Sequence, residues 1–566
     1  MNSWTTFIRH LATALIGSSM SFSLVLPLAF PTMAFGQSMI KDNNKGKPKA
    51  SRGNRNSGGA RTAPVRQAPT GAPKYNSPLP SSTLNNMYRR QLADALSMVR
   101  QGQYQQAAPI LHGLSRRPEF EAERMQIKYI LGVALMEMKL FQISAFQFVD
   151  VIRNGNSRWV KQAIEKLSVV ADALGDDTLL NYAVTKVRID EFPADQRDII
   201  YFRLGEIKMK NGRFAEAADL FGKVSSTSRY ATTALFNRGL AYLEQKKTNE
   251  ALSLFAEIRN ARAGAEVTDT NKVAAELAIA RTYYQAQDWE NAIKVYRNIP
   301  RDTDFWHDAL FEQTWADLRG AKFRSTLSHL HSLHSPYYED FWVPESLIVR
   351  SIVYLFICKF DETEKTLNLF DKKYAPLQGM IQRFLSSRDP TIFFSELENA
   401  MAVRSDRKPA SSLRLPLIVS NAVLAKGDIK RSMEYLRNLN EEKKRLETLQ
   451  TVYRSPLGSY GTKVLGNRYK NTKITVGEKA RIHLASLKAE LEDFVEQTGF
   501  IRYETINGRK ELLKKKIAGK DTVRQLDEKV DRDFYVQNGF EYWPFDGEYW
   551  LDEIGNYHYV GQQNCE

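Results

Sequence analysis

The chain has 566 residues, with a hydrophobic fraction of 43% and a charged fraction of 26%, ordinary values for a protein with a large apolar core. Its two cysteines, Cys358 and Cys565, exclude a disulfide framework and a cysteine-based zinc site. The formal net charge of +15 points to an anionic partner such as a lipid surface or a wall polymer; nucleic acid drops out if the chain leaves the cytoplasm.

Arg9 and His10 precede an apolar stretch from Leu11 to Phe30, broken by Pro27 and followed by Pro31, Ala34 and Gly36. Residues 1–36 read as a secretory signal peptide cleaved after Ala34 or Gly36. An uncleaved anchor is the alternative, because the run approaches a bilayer-spanning length. The expected location is the periplasm, with the outer membrane as a candidate surface. Residues 37–83 are rich in Gly, Ser, Pro, Asn and basic residues, a composition that cannot bury enough apolar surface to offset ordering. They read as a disordered basic linker. Lys41 to Lys74 holds nine basic residues against the single acid Asp42, so the alternative to a flexible tether is an arm that touches anionic lipid or wall polymer.

Over residues 84–385 a period near 34 dominates. Gly205 is followed by Ala217 and Phe221; Gly239, 34 residues on, by Ala251 and Phe255. A third copy holds Ala280, Ala292 and Tyr296, displaced by an insertion of about seven residues within 257–272 that reads as a lengthened loop. Thr314, Thr326 and Leu330 form a fourth copy, and Ser351, Thr363 and Leu367 a fifth. Gly132, Ser144 and Phe148 fit the same frame upstream. The spacing predicts two short antiparallel helices per copy, with facing small residues that let the axes approach and an aromatic or Leu one turn later. Copies four and five lack the small pair. Leu204, Gly205, Ala217 and Phe221, with Gly239, Tyr242, Ala251 and Phe255, resemble the tetratricopeptide repeat. That resemblance implies an all-α superhelix of helical hairpins that binds other proteins.

Residues 386–535 read as a helical extension. Gly427 marks a turn within 410–440, and from Val476 to Val530 the pattern predicts one or two amphipathic helices. These would fold as a hairpin or short coiled coil, or pack on the end of the solenoid, with interruptions at Gly499 and Gly508. Residues 536–566 form an aromatic tail in which Asp546-Gly547 and Gly555-Asn556 signal turns, so a small β-hairpin or an extended segment is expected. Its rings would either staple the tail to the helices or dock it on a partner. Trp543-Pro-Phe-Asp-Gly-Glu-Tyr-Trp-Leu-Asp-Glu-Ile-Gly555, with the order of segments, resembles periplasmic repeat proteins of the delta-proteobacterial adventurous gliding-motility machinery. The resemblance implies a scaffold in an envelope complex.

No phosphate loop, zinc helix, nucleophile elbow or calcium loop is present in the sequence, and no catalytic, cofactor-binding or metal residue is assigned. His329, His331 and His334 form the single histidine cluster, with no cysteine nearby. Asp546, Glu548, Asp552 and Glu553 lie among aromatics, as in sugar-cleaving sites, but the tail is too short to fold a catalytic domain. Cys358 is expected as a buried apolar residue on a helix, and its pairing with Cys565 is left open. The function expected is a non-enzymatic protein-interaction scaffold without cofactor or small-molecule substrate. Wall or glycan binding is the alternative, and a wall-cleaving enzyme the third choice.

Overall fold

A computed structural model describes residues 81–154, 157–175, 178–184, 197–262, 267–518, 547–559 and 561. The expected signal peptide, nearly all of the linker, residues 519–546 and Cys565 lie outside them. Eight helical hairpins run in chain order. They are α1 (Ser81–Arg100) with α2 (Tyr104–Leu114), α3 (Arg124–Glu137) with α4 (Phe141–Asn154), α5 (Ser157–Leu174) with α6 (Thr178–Val184), and α7 (Arg197–Lys210) with α8 (Phe214–Phe221). Then come α9 (Ala231–Glu244) with α10 (Thr248–Asn260), α11 (Asp269–Gln285) with α12 (Trp289–Tyr296), α13 (Trp306–Arg319) with α14 (Phe323–Leu333), and α15 (Glu345–Phe356) with α16 (Phe360–Lys373).

Six of these hairpins are organised around one register residue in the first helix and the side chain sixteen positions later. A Cβ placed on Gly132 would lie 2.6 Å from Phe148 Cε1; on Gly205, 2.7 Å from Phe221 Cε1; on Gly239, 2.6 Å from Phe255 Cε1. In these three pairs the ring lies directly on the glycine backbone, so the axes come as close as helices can. Where the register residue is larger, the partner changes with it: Ala280 faces Tyr296, Thr314 faces Leu330, and Ser351 faces Leu367, all buried. The summed volume across the contact is held roughly constant, as a close-packed interior demands. The buried hydroxyls introduced this way are satisfied within their own helices. Thr314 Oγ1 donates to Phe311 O at 2.6 Å and Ser351 Oγ to Ile348 O at 2.7 Å, while Thr326 and Thr363 each donate to a carbonyl four residues back at 3.1 Å. Copies four and five are therefore hairpins of the same kind as the others, with Leu in place of a ring.

Seven residues after the register position the chain turns through left-handed backbone in every hairpin, at Gly102, Lys139, Gly175, Gly212, Lys246, Gln287, Ala321 and Cys358. There the backbone N–H groups close the first helix, as Lys139 N does on Met136 O and Leu140 N on Leu135 O, both at 2.9 Å. Counting back seven identifies Ala95 and Ser168 as two further register residues, both buried. Cys358 sits at such a turn with φ 56°, half-buried, rather than on a helix as expected. It is disulfide-bonded.

After α16 the stacking changes. Helices α17 (Ala375–Leu385), α18 (Pro390–Arg404) and α19 (Leu417–Leu424) lead to α20 (Gly427–Thr448), the short α21 (Gln450–Tyr453) and α22 (Pro456–Ile517). The last is one helix of 62 residues, roughly 90 Å long at the α-helical rise. It is not a hairpin or coiled coil with itself: its first part pairs antiparallel with α20, and the rest packs on α15–α18. Neither Gly499 nor Gly508 interrupts it. Gly508 is instead a point of close approach, where a Cβ would lie 2.7 Å from Phe360 Cε1; Gly461 plays the same part against Ile143 Cδ1 at 2.7 Å.

This strut ties the two ends of the array together. Leu457 and Leu465 of α22, with Tyr435, Leu439 and Leu446 of α20 and Val452 of α21, belong to the apolar cluster of the first three hairpins, while Val476, Ala480, Leu484, Leu487, Leu491, Phe494 and Ile501 belong to that of α15–α20. Between those ends α22 makes no substantial contact with α7–α14 among the described residues. The Glu442 carboxylate accepts from the backbone N–H groups of Gln142 at 2.7 Å and Ile143 at 3.1 Å, so a side chain about three hundred residues away caps the start of α4. Arg502 pairs with Asp371 at 2.9 Å and Arg509 with Asp361 at 2.7 Å at the other end.

Two outcomes are expected. Gly239→Ala destabilises by about 1–3 kcal/mol through overpacking. Adding Phe255→Leu recovers part of that loss, so a double-mutant cycle in denaturant unfolding shows favourable coupling rather than additivity. Ala321→Gly relieves a left-handed backbone cost and raises stability by about 1 kcal/mol in the same assay.

Candidate interaction surface

From α7 onward the first helices of neighbouring hairpins touch, α7 with α9, α9 with α11 and α13 with α15, whereas the second helices stand further apart. The first helices therefore line the inner side of the curve. Charges on this side are spent on each other. Arg281 on α11 makes a two-point contact with Glu312 on α13, Nε to Oε2 at 2.8 Å and Nη2 to Oε1 at 2.6 Å, and the Tyr296 hydroxyl donates to Glu312 Oε2 at 3.0 Å. Burial, then the Glu312 charge, pushes the Tyr296 phenol well above its usual range. Arg203 on α7 meets Glu206 at 2.9 Å and Asp172 on α5 at 3.3 Å, and Arg229 meets Asp172 at 3.0 Å. Such pairs stitch adjacent hairpins together.

The described part of the tail, 547–559, lies on α14 and α15. It contains no strand: residues 551–556 form turns and the remainder is irregular, so the hairpin expectation is not met there. Arg301 Nη1 donates to Asp552 O at 2.9 Å and Nη2 to Leu551 O at 3.0 Å. The backbone N–H of Gly555 donates to Ser332 Oγ and that of Tyr559 to Ser328 Oγ, at 2.9 and 2.8 Å. Ile554 is buried, and the His331 ring stacks on Tyr549 at 4.9 Å and meets the edge of Tyr557 at 4.8 Å. The aromatic rings staple the tail to the hairpins. Sequence reasoning could not identify Ser328, Ser332 and Arg301 as the receiving groups, because ordinary surface residues on a helix carry no mark of what lands on them.

The three clustered histidines point in three directions. His329 Nδ1 meets the buried Asp317 carboxylate at 2.9 Å, His331 holds the tail, and His334 lies between Arg350 and Ser346. Among the described residues no group of three or more His, Cys, Asp or Glu could hold a metal ion. Glu548, Asp552 and Glu553 lie on the surface of the docked tail, Glu548 partly shielded; Asp546 lies outside the described residues.

His334 is fixed as a neutral ring. Arg350 Nη1 can only donate, so Nδ1 accepts at 3.1 Å; Nε2 then carries the proton and donates to Ser346 Oγ at 2.8 Å, which donates to Val343 O at 2.6 Å. Burial, then the Arg350 charge, holds its pKa well below 6.5, and burial lowers His112 and His331 to about 4. The unfolded chain thus binds more protons below pH 6.5, and stability falls as pH drops below that value. Each such ring contributes at most about 1.4 kcal/mol per pH unit. His334→Gln is expected to reduce that slope in unfolding measurements between pH 7 and 5, with His112 and His331 retaining their share.

Comparison with known proteins agrees with the hairpin register. Two family models, both described as tetratricopeptide repeat, match residues 202–266 and 277–302. No curated protein matches the chain. Among solved structures, the apo form of RapI is 11% identical, with a TM-score of 0.26, covering 69% of this chain and 98% of that one. A Rap protein complexed with competence and sporulation factor is 10% identical with a TM-score of 0.25, covering 70% and 99%. The apo quorum sensor NprR from B. thuringiensis is 14% identical with a TM-score of 0.27, covering 69% and 99%. TM-scores this low carry no weight for shape or activity.

Proposed function

We propose that this chain, which contains tetratricopeptide repeats, is a non-catalytic protein-interaction scaffold, exported to the periplasm and built into an envelope complex. The observation that carries this reading is the array itself: among the described residues, eight hairpins in one register that present a long surface. Repeat arrays of this kind serve as extended binding surfaces. Export is supported by the pattern over 1–36. The finer reading, a part in gliding motility, rests on the resemblance of Trp543 to Gly555 and on the order of segments. Wall binding through the tail is the weaker reading, because Tyr549, Tyr557 and Tyr559 already contact the hairpins.

The test is affinity purification of the tagged chain from its own envelope fraction, with crosslinking and mass spectrometry. A stable set of envelope proteins crosslinked to residues 197–373, retained when residues 536–566 are deleted, is the expected result. Recovery of wall fragments without protein partners overturns the proposal.

A further inference from the structure

The far end of α22 carries an apolar row that is left exposed among the described residues. Tyr503, Ile506, Leu513 and Ile517 are 61%, 66%, 59% and 86% exposed. With Lys510 between them they fall at 503, 506, 510, 513 and 517, alternating steps of three and four, the spacing of a coiled-coil seam. Core-facing positions of the same stretch are already occupied on the opposite side. Ile501 is buried, Gly508 lies against Phe360, and Arg502 and Arg509 are tied to acids of α16. The row is therefore not a core face displaced from its partner: the helix is fixed with this side outward.

Charge narrows what fits. Residues 502–517 hold six basic side chains, Arg502, Arg509, Lys510, Lys514, Lys515 and Lys516, against two acids, Glu504 and Glu511. Arg502 and Arg509 are held by acids of α16, Lys514 pairs with Glu511 and Glu504 is buried, which leaves the exposed Lys510 and Lys515 in excess beside the row. A second copy pairing through this row would set lysines against lysines at the flanking positions, a repulsion that coiled coils use to reject partners. A lipid surface calls for a broad apolar face with the cations on the other side, whereas here the row is one residue wide and Lys510 sits within it.

We infer that residues 503–517 of α22 are a docking seam for a helix of another protein, one with an apolar three–four row flanked by glutamates or aspartates. The site lies outside the repeats and holds whether or not the hairpins bind proteins themselves. Lys510 in the seam sets register by meeting a carboxylate, at the cost of some apolar contact.

The test uses the full chain and a synthetic 21-residue helical peptide with Leu and Ile in the seam and Glu at the flanking positions. Its twin carries Lys in place of Glu. Binding is read by fluorescence anisotropy at two salt concentrations, beside flotation with anionic phosphatidylglycerol vesicles and sedimentation of the chain alone. Saturable binding of the Glu peptide over the Lys peptide, weakened by salt and at least tenfold weaker for Ile506→Asn with Leu513→Asn, is expected. Lys510→Glu with Lys514→Glu should reverse the preference between the twins, an outcome that loss of folding cannot produce. Equal binding of both peptides, binding of neither, binding of vesicles alone, or self-association abolished by Ile506→Asn with Leu513→Asn each overturns the inference.

Discussion

The distance between the two helices of a hairpin is set at a single contact, the register residue against the side chain sixteen positions on. At Gly132, Gly205 and Gly239 a phenylalanine ring lies on bare backbone. The rest of each unit follows from that closeness: the helices must be short, the turn must reverse within a few residues, and the left-handed residue must fall seven positions after the contact. A hairpin so built leaves apolar surface on both flanks, and only another hairpin of the same geometry covers it. The partly shielded ion pairs between first helices then hold one unit against the next.

The hairpins were legible because this contact recurs at a nearly fixed interval and uses unusual residues. Glycine with a phenylalanine sixteen positions on stands out; Ala95 and Ser168 do not, because Ala and Ser are common and their intervals to the neighbouring copies are 37 and 36 residues rather than 34. Thr314 and Ser351 looked doubtful by composition, yet the Leu partners and self-satisfied hydroxyls restore the packing. Size compensation across a contact is a property of pairs, and single positions do not display it.

The strut was less legible, for a different reason. Glycine in a helical pattern ordinarily costs stability and suggests an end. At Gly461 and Gly508 the loss is offset by closeness to Ile143 and Phe360, residues more than a hundred positions away that no local pattern names. The same holds for the tail, whose receiving serines are indistinguishable from other helical surface residues, and for Cys358, where register rather than hydrophobicity decides its place. Long-range pairing is where one-dimensional reading fails.

An open solenoid is a spring: each unit touches only its neighbours, and small rotations accumulate into a change of pitch. The close approach of Gly461 to Ile143 of α4, and the arginine pairs that fasten the other end of α22 to α16, bridge the ends of that spring with a rigid rod. The result behaves as a truss. Stretching or twisting the hairpin array must now bend or detach a continuous helix, so force applied at one end is delivered to the other instead of being absorbed along the way.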